Sequence, residues 1–397
     1  MEIKRNILDE LYKDLSSKYV TILVGARQVG KTYLLKRVKE EAERRGLKTA
    51  YFDLEQPDHL ALFNQSDNRL IPFLANAGHV VLIDEFHYLK NASHIFKAIC
   101  DSERKVKIYA SGSSSLEIHK HLKESLVGRK LIYHIYPCSL EEVQQVIHDD
   151  PMGYYCRYGG MPGLVHFTDD DRKKLLLQDI LQSYLLKDIK SLIREENIRA
   201  FNNLLFLLAQ YQGAVVPTAS LGKEVGLTAR TVESYLEILA QTFVNFPLHS
   251  FSGNYGNELK KSKKYYLYDL GVRNALLKNF ETLLPRHDAG ALVESFVFGE
   301  LQKHLTPETE IRFWRLKTGE EVDFIWIKNQ RPYPIEVKMT ADLKTIPQGL
   351  RAFLKKYPKT KKAFVVCGNV EGAVKENEVE VAYIKWDGIS KLVSTIP

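Results

Sequence analysis

The chain has 397 residues and a formal net charge of +7, with 45% of its residues hydrophobic and 26% charged. This is the composition of a soluble, folded protein of two to three domains at roughly 100–200 residues each, and it excludes a disordered or fibrous chain. No run approaches the roughly 18 apolar residues of a membrane span, and the four cysteines (Cys100, Cys138, Cys156, Cys367) are too scattered for a zinc site or a disulfide framework.

The opening stretch, MEIKRNILDELYKDL, is too acidic and polar for a secretory signal and reads as an amphipathic helix, so a reducing, cytoplasmic location is expected. An apolar, β-branched run at 19–24 then predicts a strand. It leads into Gly25-Ala-Arg-Gln-Val-Gly30-Lys31-Thr32, followed by a helical stretch. The spacing G-x-x-x-x-G-K-T between strand and helix is that of a phosphate cradle. Its glycines let backbone N–H groups wrap phosphates, Lys31 reaches the β- and γ-phosphates, and the Thr32 hydroxyl holds Mg²⁺. The N-terminus of the helix faces the anion. Gly25, Ala26, Arg27, Gln28, Val29, Gly30, Lys31, Thr32 and Tyr33 are therefore the expected ATP-binding residues.

HVVLIDEFHYL supplies the second half of such a site, an apolar strand ending in two acids. Asp84 is expected on the metal and Glu85 on the attacking water. KVKIYASGSSSLEI is a further strand, closing in Ser111-Gly112-Ser113-Ser114, where a polar residue such as Ser113 would sense the γ-phosphate; a plain strand-to-helix turn explains it equally well. Predicted strands at 19–24, 49–54, 79–84, 106–111 and 131–135 alternate with helical stretches. That rhythm predicts a parallel sheet with helices on both faces and ligands at the strand C-termini.

GARQVGKT, LIDEFHYL, ASGSSS and SLVGRKLIYHIYPCSLEEV together resemble the AAA-type ATPases of archaea and bacteria, within the signal-transduction class. The resemblance extends over nearly the whole chain. It implies an α/β P-loop core followed by a helical linker, a winged helix and a C-terminal domain like the PD-(D/E)XK nucleases. It also implies assembly into rings. Arg129 holds the place of the family's arginine before the last core strand, to act in cis or from a neighbouring subunit, although a structural arginine fits as well. Gly160-Met161-Pro162 resembles the Gly-x-Pro element of the class, which places Pro162 beside the nucleotide; as a plain sequence it is a tight turn.

The middle of the chain turns helical, with Leu176, Ile180 and Tyr184 recurring at every fourth position. Residues 202–251 read as three helices and a hairpin, with Gly226 ending the second helix and Thr228 capping the third. This is helix-turn-helix geometry with Arg230, Thr231 and Ser234 on the outward side. Glu233 and Glu237 would repel a phosphate backbone, so a lid role stands beside DNA contact. Lys260, Lys261, Lys263 and Lys264 precede three tyrosines, as a nucleic-acid contact or as a solvated turn.

The last third segments as helix, three strands, helix, strand, the order of the PD-(D/E)XK core. Such a core needs an acid on its second strand, an acid on its third, and a lysine two residues on, all converging on a divalent metal. Asp323 fits the second strand, with Val322 and Phe324 on the opposite face; Glu336 and Lys338 share a face of the third. The first helix offers Glu294, favoured by its place after GALV, or Glu300. The usual Pro-Asp is Val322-Asp323 here. Domains are expected at 1–140, 141–256 and 257–397. The reading that follows is a Mg²⁺-dependent ATPase acting on single-stranded or branched DNA, with ATP and DNA as partners and a homo-oligomeric assembly. An ATP-controlled switch with a non-cleaving tail, or a nuclease gated by ATP, are the alternatives.

Overall fold

In the computed structural model, residues 2–102, 106–113, 126–183, 193, 197–252, 262–284, 286–376 and 378–397 are described. Ser114, Tyr184, Lys260 and Lys261 lie outside them. By internal packing the chain divides into two units. One comprises residues 1–138, 161–166 and 241–244; the other comprises 139–160, 167–240 and 245–397.

The first unit is built on five strands: β1 (Val20–Val24), β2 (Thr49–Asp53), β3 (Val80–Asp84), β4 (Lys107–Gly112) and β5 (Lys130–His134). All pair in parallel, in the order β2-β3-β4-β1-β5. β1, β3 and β4 are buried along their whole length, as continuous apolar runs in a parallel sheet covered on both faces must be. The five strands expected from the sequence all form, within a residue or so of the expected ends. The helix Lys31–Arg44 lays Leu34, Leu35, Val38 and Ala42 into the core, a stripe at helical spacing.

In the second unit, the helices Ile198–Gln210, Thr218–Val225 and Ala229–Gln241 precede a two-stranded antiparallel sheet of β6 (Asn245–Leu248) and β7 (Lys264–Leu267). Gly226 ends the second of these helices at φ 75°, and the Thr228 hydroxyl accepts from Thr231 N at 3.2 Å to start the third. Arg230, Glu233, Ser234 and Glu237 are all exposed on that third helix, so acids and the lone cation share its outer side.

After the helix Ala289–Lys303 comes a six-stranded sheet. Its strands are β8 (Thr309–Arg315), β9 (Glu321–Lys328), β10 (Arg331–Val337), β11 (Lys362–Cys367), β12 (Gly372–Glu376) and β13 (Val379–Lys385), in the order β12-β13-β11-β10-β9-β8. β11 runs parallel to β10 and β13, and the other pairs are antiparallel. The helix Gln348–Lys356 sends Leu350 and Phe353 into a core with Trp314, Val322, Ile325, Val365 and Tyr383.

One expectation fails in this sheet. Trp314 pairs with Val322 and Arg312 with Ile325, so two residues of β9, Asp323 and Phe324, face the single residue between Arg312 and Trp314. This β-bulge breaks the strict alternation assumed for β9. Val322 and Ile325 share one core, while the Phe324 ring lies 6.0 Å from both Tyr266 and Phe298. Val322 and Phe324 therefore do not share a face.

Candidate functional site

The sequence between β1 and the helix Lys31–Arg44 folds as a tight loop because backbone, not side chain, fills it. A Cβ at Gly25 would stand 2.2 Å from the Ile135 carbonyl oxygen. Gln28 (φ 62°) and Gly30 (φ 96°) adopt left-handed backbone, the conformation that turns successive N–H groups into an anion-binding concavity. Ala26 and Val29 are buried beneath the loop, Arg27 is half-buried, and Gln28 is exposed. Lys31 Nζ lies inside, donating to the carbonyls of Gly25 (3.0 Å) and Ala26 (2.8 Å). Burial pulls its ammonium below the ordinary lysine range, against the opposing charges of Glu85 and Asp84. Thr32 is exposed on the first turn. The Tyr33 hydroxyl instead donates to the Ile3 carbonyl at 3.1 Å, which commits that side chain to the N-terminal segment.

Asp84 closes β3 and is buried. Its Oδ2 accepts from the Tyr51 hydroxyl at 2.9 Å and its Oδ1 from Ser111 Oγ. Glu85 follows at φ 51°, a left-handed turn that sets its carboxylate off the strand axis. Its Oε2 lies 3.1 Å from His87 Nδ1, and its N–H donates to Ser111 Oγ at 3.4 Å. Burial works to raise the Glu85 carboxyl, but His87, Lys31 and Arg27 outweigh it and hold it below the usual range. Ser113 is buried two residues beyond Ser111. Pro162 lies beside the loop: a Cβ at Gly30 would be 3.6 Å from its Cγ and 3.3 Å from Arg5 Nη1.

Three residues of this site escaped the sequence. Arg5, 5% exposed, donates to the carbonyls of Val29 (2.9 Å) and Tyr136 (2.8 Å) and so ties the phosphate loop to the segment after β5. Tyr51 and Ser111 brace Asp84. Ser111 stood in the Ser111–Ser114 run expected to sense the γ-phosphate, next to last in β4, but its bracing of Asp84 was not foreseen; Arg5 and Tyr51 carry no motif at all.

Arg129, expected to act in cis, from a neighbouring subunit or as a structural arginine, makes contacts of its own within the chain. It precedes β5, where its carbonyl accepts from Val20 N at 2.9 Å, at the start of β1. The phosphate loop begins at the other end of β1, roughly 15 Å away at about 3.3 Å per residue. The side chain is paired with Asp101, Nε to Oδ1 at 2.8 Å. Within its own chain, Arg129 stands at the end of β1 opposite the phosphate loop.

In the second unit, Glu294 and not Glu300 joins Asp323. Glu300 is bound to Lys303 (2.5 Å) and the Leu140 N–H (3.4 Å). Asp323 Oδ2 accepts from Val337 N at 2.8 Å, and its carboxyl is pushed well above the usual range by burial and by Glu294 and Glu336. Glu336 is also pushed up by burial, against Lys338, whose Nζ donates to its Oε1 at 2.7 Å. Glu336 Oε2 is buried without a hydrogen-bond partner.

The cation among these acids is unexpected. Lys264, 1% exposed, is neither solvated nor free for a nucleic acid: its Nζ lies 3.0 Å from Glu294 Oε1 and 2.5 Å from Glu321 Oε1. Two residues on, Tyr266 donates to the same Glu294 oxygen at 2.6 Å. Burial would lower the Lys264 ammonium, but Glu294, Asp323 and Glu321 raise it well above the lysine range. Among the described residues no group of three or more His, Cys, Asp or Glu side chains is placed to hold a metal ion. The expected metal set of Glu294, Asp323 and Glu336 does not form such a group: one oxygen of each carboxylate accepts from a protein donor, and Glu336 Oε2 accepts from none. Strand alternation gave one available signal, since Lys264 and Tyr266 share a face of β7.

Among the described residues no helix is long and apolar enough to cross a membrane, and none of the four cysteines is joined in a disulfide. Residues 150–283 and 289–386 match two domains of unknown function (DUF8612 and DUF4143). An uncharacterized protein of Mycobacterium tuberculosis is 25% identical over 344 residues, 85% of this chain and 74% of that one. One from Methanocaldococcus jannaschii is 23% identical over 326 residues, covering 77% and 71%. The solved Walker-type ATPase of Pyrococcus abyssi shares the fold with a TM-score of 0.51 at 16% identity, over 70% of this chain and 96% of that one. Residues 17–144 match the AAA domain family, and with the phosphate loop, the Asp84–Glu85 pair and the parallel sheet they form an AAA-type P-loop ATPase fold.

Proposed function

We propose that this protein is a Mg²⁺-dependent, ATP-hydrolysing ATPase that acts on DNA. The observation that carries the hydrolytic part is the meeting, at the ends of parallel strands, of the Lys31 ammonium with the carboxylates of Asp84 and Glu85. The residues suit the cation: the exposed Thr32 hydroxyl and the Asp84 carboxylate are hard oxygen donors, and Tyr51 and Ser111 fix the Asp84 orientation. Mg²⁺ bound there would neutralise charge on the phosphates and align them. Lys31 would add a second positive charge from inside the loop. Glu85, kept ionised below the usual carboxylate range, would accept a hydrogen bond from the attacking water and orient it. Ser111 donates to the Asp84 carboxylate and accepts from the Glu85 backbone N–H, and would couple their positions. In an oligomer, Arg129 of one copy would serve the nucleotide of the next.

The net charge of +7 supports an anionic polymer as the partner. The test is ATP turnover with and without single-stranded, duplex and branched DNA. Stimulation by one of them is expected; turnover indifferent to all three, with no salt-sensitive binding, removes the DNA part. Lys31→Ala should abolish turnover, and its survival would remove the ATPase part. A second reading of the C-terminal domain, as a binding module that does not cleave, is favoured by one observation: Lys264 sits among the acids that a nuclease would need for its metal.

A further inference from the structure

We infer that the acidic centre of the second unit is closed by a tethered ammonium, that of Lys264, which occupies the place a divalent cation would need. The inference deepens the non-cleaving reading of this domain.

One carboxylate oxygen of each expected ligand accepts from the protein, while Glu336 Oε2 accepts from none. Glu294 Oε1 accepts from both Lys264 Nζ (3.0 Å) and the Tyr266 hydroxyl (2.6 Å). Asp323 Oδ2 takes the Val337 N–H (2.8 Å), and Glu336 Oε1 takes Lys338 Nζ (2.7 Å). Glu321, which is not part of any expected metal set, contributes the second carboxylate to Lys264 at 2.5 Å and meets Arg315 at 3.5 Å. Four carboxylates thus face three cations: Lys264, Lys338 and Arg315. A hard dication asks for six or more oxygen lone pairs and meets instead a buried like charge.

Lys264 cannot swing away into solvent at little expense. Its side chain is 1% exposed, its Nζ lies over the Phe313 ring at 5.6 Å from the centroid, and its strand is held to β6. An ammonium buried in this way is stable only with its carboxylates around it, and they only with it. The arrangement also joins two stretches of chain: Lys264 and Tyr266 come from before residue 283, and the acids from after residue 289.

The experiment is Mn²⁺ binding to the full chain without nucleotide, read by electron paramagnetic resonance. Wild type is expected to show no saturable site that depends on Asp323 or Glu336; binding at Thr32 and Asp84 is recognised by its loss in Asp84→Asn. Lys264→Met removes the charge and keeps the stem; it should gain a single site, lost again in Lys264→Met/Asp323→Asn. A saturable site in wild type that Asp323→Asn or Glu336→Gln removes would overturn the inference, as would a folded Lys264→Met with no gained site. If Lys264→Met does not fold, the wild type and Asp323→Asn pair still decides. DNA binding and cleavage by wild type in the same buffer test the non-cleaving reading separately: cleavage without a bound metal sinks that reading and leaves the tethered ammonium standing.

Discussion

Glu85 and Gly25 show how single positions set the chemistry of the phosphate site. Glu85 is held off the strand by its left-handed backbone and is 3.1 Å from His87. Glu85→Gln keeps that shape and removes the charge, so ATP should bind with little change while turnover falls by about 10²–10⁴-fold, the usual worth of a positioned base. A fluorescent ATP analogue reads binding and phosphate release reads turnover; equal loss of both would contradict the assignment. Gly25→Ala acts differently. A methyl 2.2 Å from the Ile135 carbonyl forces the loop open, so nucleotide binding itself should be lost. Stability should fall by roughly 1–3 kcal/mol, as overpacking does, which a thermal melt will show.

At the scale of elements, the helix Leu270–Leu277 is started by Asp269, whose Oδ1 accepts from Val272 N at 3.1 Å and whose Oδ2 accepts from Gly160 N at 2.8 Å. Burial pushes this carboxyl up to about 6 against the hydrogen bonds that favour its ionised form. The folded state therefore binds a proton that the unfolded chain has already released between pH of about 4 and 6. Its contribution to stability is full below that window, declines as pH rises through it, and is flat above. Asp269→Asn keeps one of the two acceptor oxygens and removes the titration, so its loss of the second hydrogen bond is the same at every pH. The difference in unfolding free energy between wild type and variant should shrink by on the order of 2–3 kcal/mol from pH 4 to 7; a difference independent of pH would refute it. What the sequence disclosed divides along the same lines. Elements and motifs whose information is local were legible: the phosphate loop, the strand rhythm, Gly226 and Thr228 at their helix ends. Groups brought together across the chain were not. Arg5 reaches Val29 and Tyr136 over 24 and 131 residues, and nothing in its neighbourhood marks it. The bulge at Asp323 defeats alternation, because an extra residue in one strand leaves no trace in a period-two pattern. Lys264 hid inside a basic run that resembles solvated surface.

At the scale of the molecule, the expected boundary at 256/257 falls within one unit, residues 139–160, 167–240 and 245–397. The counter-charge for Glu294, Glu321 and Asp323 is carried by β7, on the far side of the helix Leu270–Leu277 in sequence. Cutting the chain before Ala289 would strand those carboxylates. Glu294 would lose both its donors, Lys264 and Tyr266, and the Phe298 ring would lose the Tyr266 ring stacked on it at 4.2 Å. Removing one partner of a buried pair costs about 3–5 kcal/mol, a large part of the 5–15 kcal/mol that typically holds a domain together. A fragment 289–397 should therefore melt broadly or aggregate, whereas a fragment 139–397, which keeps β7 with its acids, should unfold in one cooperative transition. Far-ultraviolet circular dichroism during a urea titration distinguishes them, and a cooperative, stable 289–397 would show that the acidic centre needs no help from β7. Adding Mn²⁺ to the short fragment extends the test: with Lys264 gone, a divalent cation should restore part of its structure, and in the longer fragment it should change nothing.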